Sequence, residues 1–475
     1  MKCVFMSISL CNTLAKKKIC LVMLEFCFTI LGLTTRWKQV VAYYFTPTSV
    51  DGSVFKPIVI EIIKEAEAIG LQVISVTSDM GSSNKAMWRE FGIVVNRHCV
   101  PVTNVTHPID SSRDLSFIAD VPHLIKNLKA ALCNHKQGFV LHNDVVQMFN
   151  LPSNCVSIAP ISCLLDFQQS RERKLAPKLT AAVLEPSHFN KMKVSHALNL
   201  FSKSVSSALT YITEQAKNPS SELHDFYLSG ETRNFLTTAW FVEQCNHWFD
   251  LMSSRHPVLA LSKNNSEAYS EAVNFLKKFI HIIETLKIGR GEWKPVQRGI
   301  ILSTTSILKL TEVLLDDHSF ILTSRFSQDC LENLFSTVRL KNPIPTPLEF
   351  KRNLKLIMAA QFLKMPAGAS YEVDDRSYLV DLLHTSSSAD CNTESKDCHR
   401  EDSLMHIELS CQTQLPAEER TALYYVAGYC LQSLRKRNMV CEHCYKSATT
   451  ADHLESVCDL TRRVHSAEYR NQFLV

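Results

Sequence analysis

The chain has 475 residues, 45% of them apolar, enough to bury the cores of about two to four domains and too apolar for a disordered polypeptide. Its formal net charge of +4 excludes a strongly basic field over the whole surface, so any nucleic-acid contact must come from local patches. Seventeen cysteines scattered over this length are no small disulfide scaffold; they suit a reducing compartment, nucleus or cytosol, with mostly buried free thiols.

Near the N-terminus, Lys16, Lys17 and Lys18 precede an apolar run over residues 19–33 that superficially resembles a secretory leader. Glu25 interrupts the run, no small-residue cleavage pattern follows, and the run is short for a bilayer, so no membrane role is expected. Residues 21–33 are instead predicted to form a buried strand, leading through Thr34, Thr35 and Arg36 into a second strand over 37–45, WKQVVAYYF. The pair is expected to be a hairpin.

Residues 55–69 carry Ile58, Ile62, Ile63 and Ala66 at helical spacing and end at Gly70, a C-cap. The short run 71–77, LQVISVT, then delivers Ser78-Asp79-Met80-Gly81 to a helix containing Asn84, Met87, Trp88 and Phe91. This alternation of strand and helix is that of an α/β sheet, whose functional side chains sit at the carboxyl ends of strands. Asp79 holds such a position, although on sequence alone a turn or N-cap role is the favoured account of it. A strand over 116–119 next enters a helix through Asp120, with Pro122 in the first turn, which explains Asp120 as an N-cap. Lys126 and Lys129 are expected on the solvated side of that helix.

From 144 to 318 strand patterns nearly vanish. Helical spacing recurs over 179–183, 197–216, 233–253, 266–286 and 297–315, with loops at 263–266 and 289–291, giving an all-α domain of ordinary size. No phosphate-binding P-loop motif occurs. Residues 324–339, SRFSQDCLENLFSTVR, then place Phe326, Cys330, Leu331, Leu334, Phe335 and Val338 on one helical stripe. Asp329 and Glu332, three apart on that helix, are either a metal-holding pair or two solvated charges.

Beyond residue 363, Ser386 to Ser388 and scattered acids mark a flexible linker to 418, followed by a helical pattern over 420–437 and Cys441-Glu442-His443-Cys444. With His453 and Cys458, Cys441 and Cys444 either bind Zn²⁺ or are free thiols.

FSQDCLENLFSTVR closely resembles the helix that carries the last catalytic acid of P-element-type transposases, the family that includes THAP-domain transposase-like proteins. WKQVVAYYF, TSDMGSSN and DVPHLIKNLK match the same family in the same order, so the resemblance covers about residues 20–365, and YYVAGYCLQSLRKR resembles its C-terminal module. It implies an α/β ribonuclease-H-like core over 1–143, a large all-α, guanine-nucleotide-binding insertion over 144–318, and the last catalytic helix over 319–363. After the linker, 364–418, a small Cys-containing helical module occupies 419–475.

The implied chemistry is metal-assisted DNA cleavage and strand transfer, with carboxylates holding two Mg²⁺ ions about 4 Å apart. Asp79 and Glu332 match the second and last acids; the first has no counterpart, since no Asp precedes Asp51 and Glu25 lies within the predicted strand. Lys126, Asp250 and Asp329 match nucleotide contacts, with GTP as cofactor, although Ser253 stands where the family commonly has Asn. Transposon-end DNA is the implied partner, the nucleus the implied location, and a homo-oligomer is compatible with it. The family's N-terminal zinc finger and coiled coil are also unmatched, so the chain is expected to be N-terminally truncated and catalytically defective as written. The alternatives are an incomplete gene model of an active transposase and a non-catalytic nucleotide- or DNA-binding scaffold.

Overall fold

A computed structural model of the chain describes residues 17–362 apart from 25–26, 34–37, 46–51, 98, 136–137, 170, 187–192, 221–223, 225–231, 291–292 and 341. Glu25, the linker, Cys441, Cys444 and the C-terminal module lie outside the described residues.

The apolar run over 21–33 is two strands, not one. β1 (Lys17–Leu24) and β2 (Cys27–Gly32) pair antiparallel, with Leu24 opposite Cys27, and β3 (Lys38–Tyr43) adds antiparallel to β2. The expected hairpin is therefore the outer half of a three-stranded meander, and a strand precedes it. Helix α1 (Phe55–Ala68) follows, buries Phe55, Val59, Ile62, Ile63 and Ala66, and ends before Gly70, whose φ of 85° suits glycine.

β4 (Leu71–Ser78) then pairs parallel to β1; after α2 (Ser82–Glu90) and β5 (Asn104–Thr106), β6 (Asp114–Ala119) pairs parallel to β4. The sheet order is β3-β2-β1-β4-β6-β5, the mixed sheet of a ribonuclease-H-like core.

α3 (Val121–Asn134) leads into the insertion through β7 (Phe139–Val140), α4 (Asn143–Met148) and β8 (Cys155–Val156). Its helices are α5 (Ala159–Gln169), α6 (Ala181–Leu184), α7 (Val194–Leu200), α8 (Lys203–Ala216), α9 (Thr232–Met252) and α10 (Ser266–Thr285). The predicted helix over 197–216 is broken where Ser202 caps α8 by accepting from Val205 N–H. β9 (Lys287–Ile288) joins β7 and β8 in a small sheet of two-residue strands that periodicity cannot reveal.

α11 (Pro295–Leu314) closes the insertion and also roofs the core. Its Ser303 hydroxyl donates to Ala119 O at 2.7 Å and accepts from Ala119 N–H at 2.9 Å, while Ser306 donates to Phe117 O at 2.6 Å. Gly299 also lets α11 come close to α3: a Cβ there would lie 2.4 Å from the Leu124 side chain. Trp248 of α9 is fully buried and donates to Thr304 at 3.0 Å, binding the insertion to the same helix.

A 3₁₀ turn (Thr323–Phe326) precedes α12 (Asp329–Val338), which therefore starts five residues after the beginning of the stretch 324–339. Arg325, buried in that turn, donates to Gly32 O at 2.8 Å and fastens it to the end of β2. Phe335 is half-buried, with the Arg339 guanidinium 5.3 Å from its ring centre. Helix α13 (Pro347–Phe362) belongs chiefly to a second compact unit.

Candidate functional site

β1, β4 and β6 run parallel, so their carboxyl ends share one edge of the sheet. Ser78 pairs with Ala119, and Asp120 N–H donates to Ser78 O at 3.0 Å, so Asp79 and Asp120 leave neighbouring strands side by side. Asp79 is half-buried; its Oδ1 accepts from Gly81 N–H and Asn84 Nδ2, both at 2.7 Å. Gly81 permits this closeness, because a Cβ there would lie 2.8 Å from that oxygen.

Asp120 is 2% exposed and does more than cap a helix. Its Oδ2 accepts from His123 N–H at 3.0 Å and meets His123 Nδ1 at 2.6 Å, while Oδ1 accepts from the Gln328 N–H at 2.7 Å. His123 Nε2 in turn lies 3.3 Å from Glu332 Oε1. A carboxylate, imidazole, carboxylate chain thus joins the end of β6 to α12, and α12 also packs against β1. Burial lowers the His123 pKa, but the hydrogen bond and charge of Asp120, with Glu332 adding and Lys126 opposing, leave it raised. The ring is held ready to carry a second proton between two carboxylates.

Asp329 completes the cluster. Burial and the Asp120 charge raise its pKa, while Arg255 opposes them through a 2.6 Å bond from its guanidinium to Asp329 Oδ2. The structure therefore gathers Glu332, Asp329 and Lys126 around Asp120 and His123. Asp250, exposed near the end of α9, accepts instead from Asn246 of its own helix at 2.7 Å, and Ser253 returns its hydroxyl to Phe249 O at 2.6 Å.

Lys129, expected in solvent, is 7% exposed, and burial lowers its pKa. The sequence reading erred because α7 and α11 both pack on α3, widening its buried stripe. His123, Arg255 and Gln328 were missed; only the Asp120–His123 pair, three apart at a helix start, carried a readable pattern.

Among the described residues no three His, Cys, Asp or Glu side chains assemble as a metal-ligand set. Asp79 and Glu332 alone do not make the cage that two-metal chemistry needs. Asp329 accepts one hydrogen bond from the Arg255 guanidinium, at 2.6 Å.

A ribonuclease-H-like sheet is thus followed by a mainly helical insertion carrying a small three-stranded sheet, and then by an acidic helix. Residues 12–92 match the family model described as TNP-like, RNase H N-terminal domain, and residues 123–265 the one described as TNP-like, GTP-binding insertion domain. The chain is a P-element-type transposase homologue. It is 26% identical over 429 residues to the Transposable element P transposase of Drosophila melanogaster, covering 87% of this chain and 52% of that one. To the DNA transposase THAP9 of Homo sapiens it is 24% identical over 343 residues, covering 68% of this chain and 34% of that protein. It spans about half and about a third of their lengths. The Drosophila P element transposase strand transfer complex shares the fold, with a TM-score of 0.59 and 22% identity over 73% of this chain and 77% of that one.

Proposed function

We propose that the chain is a transposase-derived protein that engages DNA and guanine nucleotide but does not cleave DNA as its sequence stands. The observation that carries the second half is β1. This strand lies beside β4 at the centre of the sheet, yet KKICLVML holds no carboxylate to stand with Asp79 and Glu332. Bound Mg²⁺ would activate the attacking oxygen and stabilise the leaving one; with two acids, the repulsion between two dications is under-compensated and occupancy falls. Asp120 is not the substitute, since both its oxygens are already engaged in holding His123 and Gln328.

The nucleotide half rests on Asp329, Lys126 and the insertion, with Asp250 as a more distant candidate. Work on chromosomal DNA would place the protein in the nucleus, which a fluorescent fusion tests. Among the described residues no helix is long and apolar enough to cross a membrane.

The deciding experiment incubates the purified chain with supercoiled plasmid and family-type terminal repeats in Mg²⁺ or Mn²⁺. The expected outcome is no nicking and no joining. Weak Mn²⁺-dependent cleavage lost on Glu25→Gln would show that Glu25 supplies the third acid. Cleavage that survives Glu25→Gln but is lost on Asp79→Asn or Glu332→Gln would overturn the missing-acid argument.

A further inference from the structure

A local surplus of positive charge follows α5. Between residues 171 and 193, six Lys and Arg stand against two Glu, a surplus of four that equals the formal net charge of the whole chain. Its densest part is the connection after α5, RERKLAPK over 171–178, where Arg171, Arg173, Lys174 and Lys178 are all exposed. Among the described residues no carboxylate pairs with Arg173, Lys174 or Lys178; Glu172 is the nearest acid in sequence to all three.

The connection is also built rather than loose. Gln168, 1% exposed at the end of α5, donates from Nε2 to Ala176 O at 3.2 Å and Leu179 O at 3.1 Å, and its Oε1 accepts from Ala176 N–H at 3.0 Å. Ala176 and Leu179 are themselves buried, so the loop is pinned at its base. At its start the Arg171 guanidinium stacks 4.0 Å from the Phe167 ring centre. A buried amide spending its donors and acceptor on loop backbone fixes the backbone from which the cations project, which lowers the entropy cost of using them. An unstructured solubilising run needs no such clamp.

We propose that the loop over 171–178 is a duplex-DNA contact in which Arg173, Lys174 and Lys178 bind backbone phosphates. The inference rests on the DNA reading above and assigns it a surface in the insertion, apart from the acidic sheet edge. Phosphate contacts carry no base information, so the loop positions DNA and adds affinity without sequence preference.

The test titrates the full chain into a fluorescein-labelled duplex of arbitrary sequence, following anisotropy across about 50 to 200 mM salt. Each phosphate contact contributes roughly 0.9 to the slope of log K against log salt, so Arg173→Ser, Lys174→Ser and Lys178→Ser together should flatten it by roughly 2 to 3 and weaken binding at least about tenfold. Glu172→Gln should tighten binding. Lys277→Ser with Lys278→Ser, removing exposed charge from α10, is the control. A triple variant with the wild-type slope overturns the inference while leaving the DNA reading intact, as does an equal effect of the control. A wild-type chain that binds no duplex overturns both, and GTP titrations on the same samples report separately on the nucleotide reading. Loop dependence confined to single-stranded RNA would also overturn the assignment.

Discussion

Gln328 and Asp120 are 208 residues apart, and the backbone N–H of one donates to the buried Oδ1 of the other at 2.7 Å. The same carboxylate caps α3, so one side chain sets the start of two helices that the sequence separates by the whole insertion. Asp120→Ala should destabilise the chain by about 2 to 4 kcal/mol, combining a lost N-cap with lost bonds to a buried charged acceptor. Asp120→Asn keeps an acceptor for Gln328 and should cost less. Urea midpoints at constant m-value measure both; a loss for the alanine variant below about 0.5 kcal/mol would refute the shared-cap account.

The pairing of Arg255 with Asp329 predicts how nucleotide selectivity responds to mutation. Equilibrium titration should show GTP bound well in preference to ATP, because unmet hydrogen bonds in a buried site cost a few kcal/mol. Asp329→Ala should erase the preference. Arg255→Ala, by freeing the carboxylate, should strengthen GTP binding by no more than about fivefold, the scale of a half-exposed ion pair. Equal weak affinity for both nucleotides in the wild type would remove the guanine reading.

The buried His107 predicts that the core is sensitive to acid. His107 Nδ1 accepts from Asp110 N–H at 3.1 Å, its Nε2 lies 3.4 Å from Glu67 Oε1, and Arg113 bridges Glu67 and Asp110 at 2.9 and 2.7 Å. Burial, then the Arg113 charge, lowers the His107 pKa, so the folded state binds its proton less readily than the unfolded chain. Stability is then full above the unfolded value of about 6.5 and falls as pH drops from there toward the lower folded value. Thermal melts from pH 7.5 to 5 should show this loss, reduced in His107→Gln; an identical pH slope in both proteins would exclude His107 as its source.

Thiol reactivity offers a check on packing. Burial pushes the Cys27 thiol up to about 12 and holds Cys245 well above its ordinary value, whereas Cys99 is exposed. Of the seven described free cysteines only Cys27, Cys245 and Cys330 are buried, so the thiols are less uniformly interior than composition suggested. Neutral-pH maleimide labelling followed by peptide mapping should modify Cys99 quickly and Cys27 and Cys245 only on unfolding. Rapid native labelling of Cys27 would mean that β2 is not packed as described.

Much of the core was legible because its elements obey local rules: the Asp120 cap with Pro122 behind it, the Gly70 stop, and the alternation of short apolar runs with amphipathic helices. The break between β1 and β2 was not, since a strand buried on both faces leaves no periodicity and the run is apolar on either side of the turn. Three two-residue strands fall below any pattern. Asp79 and Glu332 could be singled out from wording alone, but Arg255 meets Asp329 across 74 residues and Gln328 meets Asp120 across 208, and such pairings exist only in the fold.

The roof over β6 has a consequence for biosynthesis. Ser303 grips Ala119 from 184 residues downstream, so β6 emerges long before the helix that covers it. At translation speeds of about 5 to 20 residues per second, the strand waits roughly 10 to 40 s for its lid. Throughout that interval Phe117 and Ile118, fully buried in the finished protein, lack the cover of that helix, the kind of transient apolar exposure that chaperones answer.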